Sequence, residues 1–149
     1  VEPRKMQYET QLSCPSVDFA GPLADDRFDS SKNYLGVWSR EQVYNSMTNY
    51  GNLVLLSDGE AAPQVIMEAL VSGLGLVISI EAAANLDTSL PFIDVVDRND
   101  FSNLESIIAE NREKSLKHRN DIRDYGIENF AISNCTKKYI KKIQEIKAC

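Results

Sequence analysis

The chain is poor in the residues that most often announce chemistry. Histidine occurs once in 149 residues, at His118, and no cysteine lies near it in sequence. That argues against a zinc site. His118 stands between Lys117 and Arg119 and is read as a surface residue. The three cysteines, Cys14, Cys135 and Cys149, are far apart and odd in number. They make no disulfide framework, and a reducing compartment is expected. No apolar run approaches the length of a membrane span. The first residues do not read as a secretory signal, so a cytoplasmic setting is expected. Internal repeats and low-complexity segments are absent.

Charge is also lacking in one sign, but unevenly. The net charge of −6 argues against a general nucleic-acid binder. Residues 1–111 hold 6 Lys and Arg against 17 Asp and Glu, whereas residues 112–149 hold 10 against 5. The basic tail admits peripheral contact with an anionic membrane surface. The simpler reading is a solvated helical face. The paired acids Asp25 and Asp26 are read as inert loop residues. The length suits one domain with a single substantial core.

What is present is concentrated in residues 53–80. Leu53–Leu56 is a short apolar run, long enough for a buried strand. Ser57-Asp58-Gly59 is turn chemistry. Pro63 suits the first position of a helix, and Gly73 the position just past its end. Leu76–Ile80 is a second apolar run rich in β-branched residues. Strand, helix and strand of these lengths predict a crossover between parallel strands. Ala61 and Ala62 precede Pro63, so the usual capping side chain is missing. The first backbone N–H groups then need an anion, water or the Glu60 side chain. Gln64, Glu68 and Ser72 share one face of the helix, and its other faces are apolar.

Around this unit the pattern predicts a helix over 4–12 and strands over 17–20 and 33–37. Ser39 and Gln42 form a capping box opening a helix to about Asn49. A further strand is expected within 91–96, then a turn over 97–100. Helices are expected over 101–111, over 113–125 with Gly126 as the stop, and over 133–147. The last carries an apolar stripe of Tyr139, Ile140, Ile143 and Ile146.

The segment LSDGEAAPQVIMEALVSGLGLVIS resembles the Glu-x7-Glu segment of retaining glycosyltransferases with two Rossmann-like domains, the GT-B architecture. Ala61 replaces the family's common Gly after the first Glu, and Gly75 its common Pro. The resemblance implies an α/β fold, a Rossmann-like parallel sheet with helices on both faces, forming one half of a GT-B pair with its first strand truncated. It implies a nucleotide-sugar-binding domain over 1–130. A closing helix over 131–149 would cross to an absent N-terminal domain. The implied activity is hexosyl transfer with retention, from a nucleoside diphosphate sugar to a glycan, lipid or other acceptor, as in polysaccharide biosynthesis. The fragment alone is expected to be inactive. No metal or other cofactor is implied.

Residue by residue, the resemblance gives Glu60 to the hydroxyls of the transferred sugar. Lys5 is given to the leaving diphosphate, with the family's matching Arg falling before Val1. Glu68 is given to the ribose hydroxyls. The loop and helix start, Ala61, Ala62, Pro63, Gln64 and Val65, would cradle phosphate or sugar hydroxyls. Gly36, Val37 and Trp38 would lie beside the base, although a core or interface role is the commoner outcome for a Trp. Two other classes stay open: a flavodoxin-like regulatory domain with Asp58 as acceptor, and half of a GT-B-type sugar-nucleotide epimerase. The first lacks pairing acids after its first strand, and the second lacks a His-rich site.

Overall fold

The computed structural model describes residues 2–60 and 63–147. At its centre three parallel strands, β1 (Asn52–Leu55), β2 (Gly75–Ser79) and β3 (Ile93–Val96), lie in that order. Leu76 of the middle strand faces Leu53 on one side and Ile93 on the other. Alternation along each strand divides the side chains between two cores. Leu53, Leu55, Leu76, Ile78, Ile93 and Val95 belong to one. Val54, Val77, Val96 and Leu56, just past β1, belong to the other. Every residue of β2 is buried, as expected of a strand covered on both faces.

Among the described residues six α-helices accompany the sheet: α1 (Gln7–Ser13), α2 (Arg40–Ser46), α3 (Gln64–Val71), α4 (Leu104–Lys117), α5 (Arg119–Phe130) and α6 (Ile132–Lys147). Helix α3 joins β1 to β2 and packs on the first face with α5, through Ile66, Ala69, Leu70 and Ile122. Helix α4 covers the second face through Leu104 and Ile108, beside Cys14 at the end of α1. The fold is therefore α/β, a parallel sheet flanked by helices on both faces, consistent with a Rossmann-like arrangement.

Helix α3 ends as its glycine predicts. Gly73 has φ +80°, its N–H donates to Leu70 C=O at 2.9 Å, and Leu74 N–H donates to Ala69 C=O at 2.9 Å. This is a Schellman closure. The capping box of α2 is complete, with Ser39 Oγ accepting from Gln42 N–H at 3.2 Å and Gln42 Oε1 accepting from Ser39 N–H at 2.8 Å.

Several expectations need correction. The segments 17–20 and 33–37 form no strands; they meet in one parallel bridge, Phe19 to Tyr34. Asn33 and Gly36 both take positive φ, 52° and 81°, which breaks the pleat at either end of the second segment. Phe19, Phe28 and Tyr34 instead build a small cluster of their own, with rings edge to face at 5.1 and 6.0 Å. Pro63 precedes α3 in extended conformation, φ −68° and ψ 117°, rather than opening it. Helix α4 runs through Arg112, and the break falls at His118. Gly126 ends nothing. It lies inside α5, where a Cβ would stand 2.7 Å from the backbone of Leu70 and Val71. Its lack of a side chain lets α5 press against α3.

The second helical layer is fastened by Asn111, which is fully buried. Its Nδ2 donates to Leu76 C=O at 3.0 Å, Phe92 C=O at 3.2 Å and Asp94 Oδ2 at 2.9 Å. Its Oδ1 accepts from Asn52 Nδ2 at 3.2 Å. Asn52 Nδ2 also donates to Ile108 C=O at 2.8 Å. One helical side chain thus touches all three strands or their approaches. Ser115, one turn later, presses on Gly75, where a Cβ would meet Ser115 Oγ at 1.8 Å.

Replacing Asn111 by Leu keeps the volume but strands these buried partners. We expect a loss of about 3 kcal/mol in urea unfolding, since each abandoned polar group costs on the order of 1–3 kcal/mol. A second expectation concerns Cys14, 1% exposed, whose thiol is pushed up to about 11 by burial and, less, by the Glu105 charge. The folded chain keeps that proton above the ordinary thiol value of 9.0, where the unfolded chain loses it. Stability from this group is therefore present below the unfolded value and lost as pH rises toward the folded one. The gap in unfolding free energy between wild type and Cys14→Ala should shift against wild type over that window. Peptide mapping at pH 8 should find Cys14 unalkylated in the folded chain.

Candidate functional site at the strand ends

In a parallel sheet the loops leaving the strands share one rim, and ligands gather there. Three such loops meet in this chain. Ser57 to Glu60 follow β1, Ile80 and Glu81 follow β2, and Asp97 to Asn99 follow β3. Fully buried Ser79 closes β2 by donating from Oγ to Ser57 C=O at 2.6 Å, which fixes the first loop to the middle strand. Ser57, also fully buried, donates from Oγ to Glu60 Oε1 at 3.1 Å. The Glu60 carboxylate is thereby held beside the end of β1 rather than swinging in solvent.

A second segment reaches the same rim from the start of the chain. The Arg4 carbonyl accepts from Asp58 N–H at 3.0 Å, which seats the turn Pro3–Lys5 on the loop after β1. Arg4 is held more firmly protonated by its hydrogen bond to Glu2, then by the Glu2, Glu60 and Asp58 charges. Lys5 makes no ion pair within 4 Å among the described residues. Its charge does act on the Glu2 carboxylate, which is held low first by its hydrogen bond to Arg4.

Arg98 ties the three loops together. Its Nη1 lies 3.4 Å from Asp58 Oδ2 and its Nε 3.6 Å from Glu81 Oε1. Beside it an open depression of about 480 Å³ is lined by Ile80, Glu81, Val95, Val96, Asp97, Arg98 and Asn99. Sequence reasoning passed over Arg98 and Glu81. Neither sits in a recognisable motif, and the one available signal was that each lies two residues past a strand.

Of the residues singled out by sequence, Lys5 and Glu60 come to the same loop. Helix α3 starts from that loop, and no side chain among the described residues caps it. Gln64 is exposed and Val65 is half-buried against the first core. Glu68 is half-buried, with no hydrogen bond or ion pair to its side chain among the described residues. It falls on the side of α3 away from Ile66 and Leu70, which face the sheet. Ala61 and Ala62 lie outside the described residues. Next to Pro63 lies a crevice of about 20 Å³, lined by Ile66, Met67, the 82–86 loop and Phe130. That is room for about one water. Trp38 stands 6.2 Å from Tyr50, which precedes β1, so it lies at the opposite end of that strand from Glu60. Val37 beside it is exposed, and Gly36 has open space around it. Asp25, read as an inert loop acid, is buried and paired to Arg27 Nη2 at 2.7 Å.

No group of three or more His, Cys, Asp or Glu side chains that could hold a metal ion occurs among the described residues. In comparisons with known proteins, no family model and no curated protein matches this chain.

Removing the Ser79 hydroxyl tests how the rim is held. Ser79→Ala should cost about 1 kcal/mol of stability, the net worth of one such bond. It should also speed amide exchange at Asp58 to Glu60 more than in β2. Equal acceleration across both would mean that Ser79 only supports the core.

Proposed function

We propose that this chain is the donor-binding domain of a retaining GT-B-type glycosyltransferase, taking a nucleoside diphosphate sugar at the rim after β1. The observation that carries this reading is the seating of the Pro3–Lys5 turn on the loop after β1, by the Asp58 N–H bond to the Arg4 carbonyl, two residues before the Glu60 that Ser57 holds. Residues far apart in sequence bring cations and a fixed carboxylate to one strand end. The resemblance asks for that combination. The parallel strand–helix–strand unit around Glu60 and Glu68 agrees with it.

On this reading Glu60 accepts hydrogen bonds from hydroxyls of the transferred sugar, with Ser57 keeping it in place. Lys5 offsets charge gathering on the diphosphate as the sugar leaves. The N–H groups opening α3 at Gln64 and Val65 donate to phosphate or hydroxyl oxygen. Glu68 grips the ribose hydroxyls as a two-oxygen acceptor. Contact of Trp38 with the base is left out of the proposal, because the ring lies by Tyr50. Acceptor binding belongs to a partner domain.

NMR titration of the chain with uridine, guanosine and adenosine diphosphate sugars is the direct test. At least one donor should shift the amides of Lys5, Asp58, Gln64 and Val65, with millimolar affinity. Glu68→Ala and Lys5→Ala should each weaken it about fivefold or more, the loss of one charge-assisted bond. Absence of shifts with every donor, or shifts indifferent to both substitutions, would overturn the assignment.

A further inference from the structure

Helix α6 is the least buried element of the chain, and no residue of it is buried. It packs chiefly on α5, and the side chains that hold it there are polar. Asn134 Nδ2 donates to Ile127 C=O at 3.0 Å, Cys135 Sγ to Asn129 C=O at 3.2 Å and Lys138 Nζ to Asn129 Oδ1 at 3.2 Å. A helix at the edge of a domain normally turns its apolar stripe inward. Here the polar side faces the body and most of the apolar side is left outside, Ile143 alone of the stripe being half-buried. Ile132 is 84% exposed, Ile146 67% and Tyr139 68%, and Ile140 is exposed as well.

The charges around this face are of one sign. Five lysines, Lys137, Lys138, Lys141, Lys142 and Lys147, accompany a single acid, Glu145. On a helical wheel Lys137 and Lys142 border the apolar face on its two sides. The rest of the chain is acidic, with 11 Lys and Arg against 21 Asp and Glu over residues 1–131. A net positive charge is therefore concentrated on α6, the helix whose apolar face is largely uncovered.

We propose that α6 is an interfacial helix that lays its isoleucine face into an anionic lipid surface. The lysines on its borders meet the headgroups. Aliphatic side chains beside flexible lysine stems, with Tyr139 able to keep its hydroxyl at the wet boundary, match such a helix. A protein partner fits less well. All five cations are lysine and none is arginine, whereas protein interfaces favour arginine and disfavour lysine. Among the described residues no helix is long and apolar enough to cross a membrane, so the contact is one of lying on the surface. This inference does not depend on the donor-binding reading.

Flotation of the chain with lipid vesicles tests it. Vesicles of 70:30 phosphatidylcholine and phosphatidylglycerol should carry the chain, and pure phosphatidylcholine should not. Binding should fall in 0.5 M NaCl. Ile140→Glu/Ile146→Glu should abolish it with the circular dichroism spectrum and melting temperature unchanged. Lys137→Gln/Lys142→Gln should weaken it roughly 30-fold, from the usual contribution of a lysine near an anionic surface. No flotation, or flotation untouched by both variants, overturns the proposal. So does a dimer in solution that Ile140→Glu/Ile146→Glu dissolves while vesicles stay bare, since the face would then serve a second copy. Equal capture by polyglutamate and by anionic vesicles would assign α6 to an acidic protein partner and overturn it as well.

Discussion

The Asn111 carboxamide is the contact on which the other layers rest. A three-stranded parallel sheet has little ladder of its own, and parallel pairs need their faces covered to persist. Asn111 covers one face and also binds the strands to one another. Leu76 and Phe92 give it their carbonyls, Asp94 its carboxylate, and Asn52 its amide. Such a polar knot inside an apolar layer tolerates one register only. Slipping α4 by a turn would leave every one of these groups unpaired. Gly75 completes the fit, since any side chain there would collide with Ser115.

The knot sits where strands begin, and the candidate site sits where they end. Leu76 and Phe92 are at or before the first residues of β2 and β3, while Ser57, Ser79 and Arg98 follow the last residues of β1, β2 and β3 or close them. Fastening at one end frees the other to carry charge. Arg4, Lys5, Asp58, Glu60, Glu81 and Arg98 can crowd one rim without putting unpaired charge into the core.

The legible parts of the sequence were those whose signals are local. The runs around Leu53 and Leu76, the glycine after α3 and the Ser39 capping box each state their structure within a few residues. Segments 17–20 and 33–37 failed because a short β-rich run becomes a strand only when a partner continues it, and left-handed residues at 33 and 36 prevent that. Gly126 was read as a helix stop because its cause, the backbone of α3 pressing on it, lies more than fifty residues away. Asn111 looked like any polar helical residue. At the site, Glu60 and Lys5 were named from a resemblance; the structure sets Glu60 two residues past Asp58 and holds the turn that carries Lys5 by the Asp58 N–H bond to the Arg4 carbonyl. Arg98 had no such pointer, because its partners come from the ends of two other strands.

Strand β3 has one more property. It is an outer strand of the sheet, with backbone groups on its free side and apolar Ile93, Val95 and Val96 along its length. Such a border invites another chain to add itself, the first step toward stacked aggregates. Asp94 stands in the middle of this border with its carboxylate turned toward α4, tethered by Asn111 and 3.5 Å from Lys114 Nζ. An incoming strand would have to lodge next to a charge anchored from beneath, so the tether that organises the interior also discourages fibre growth from this side.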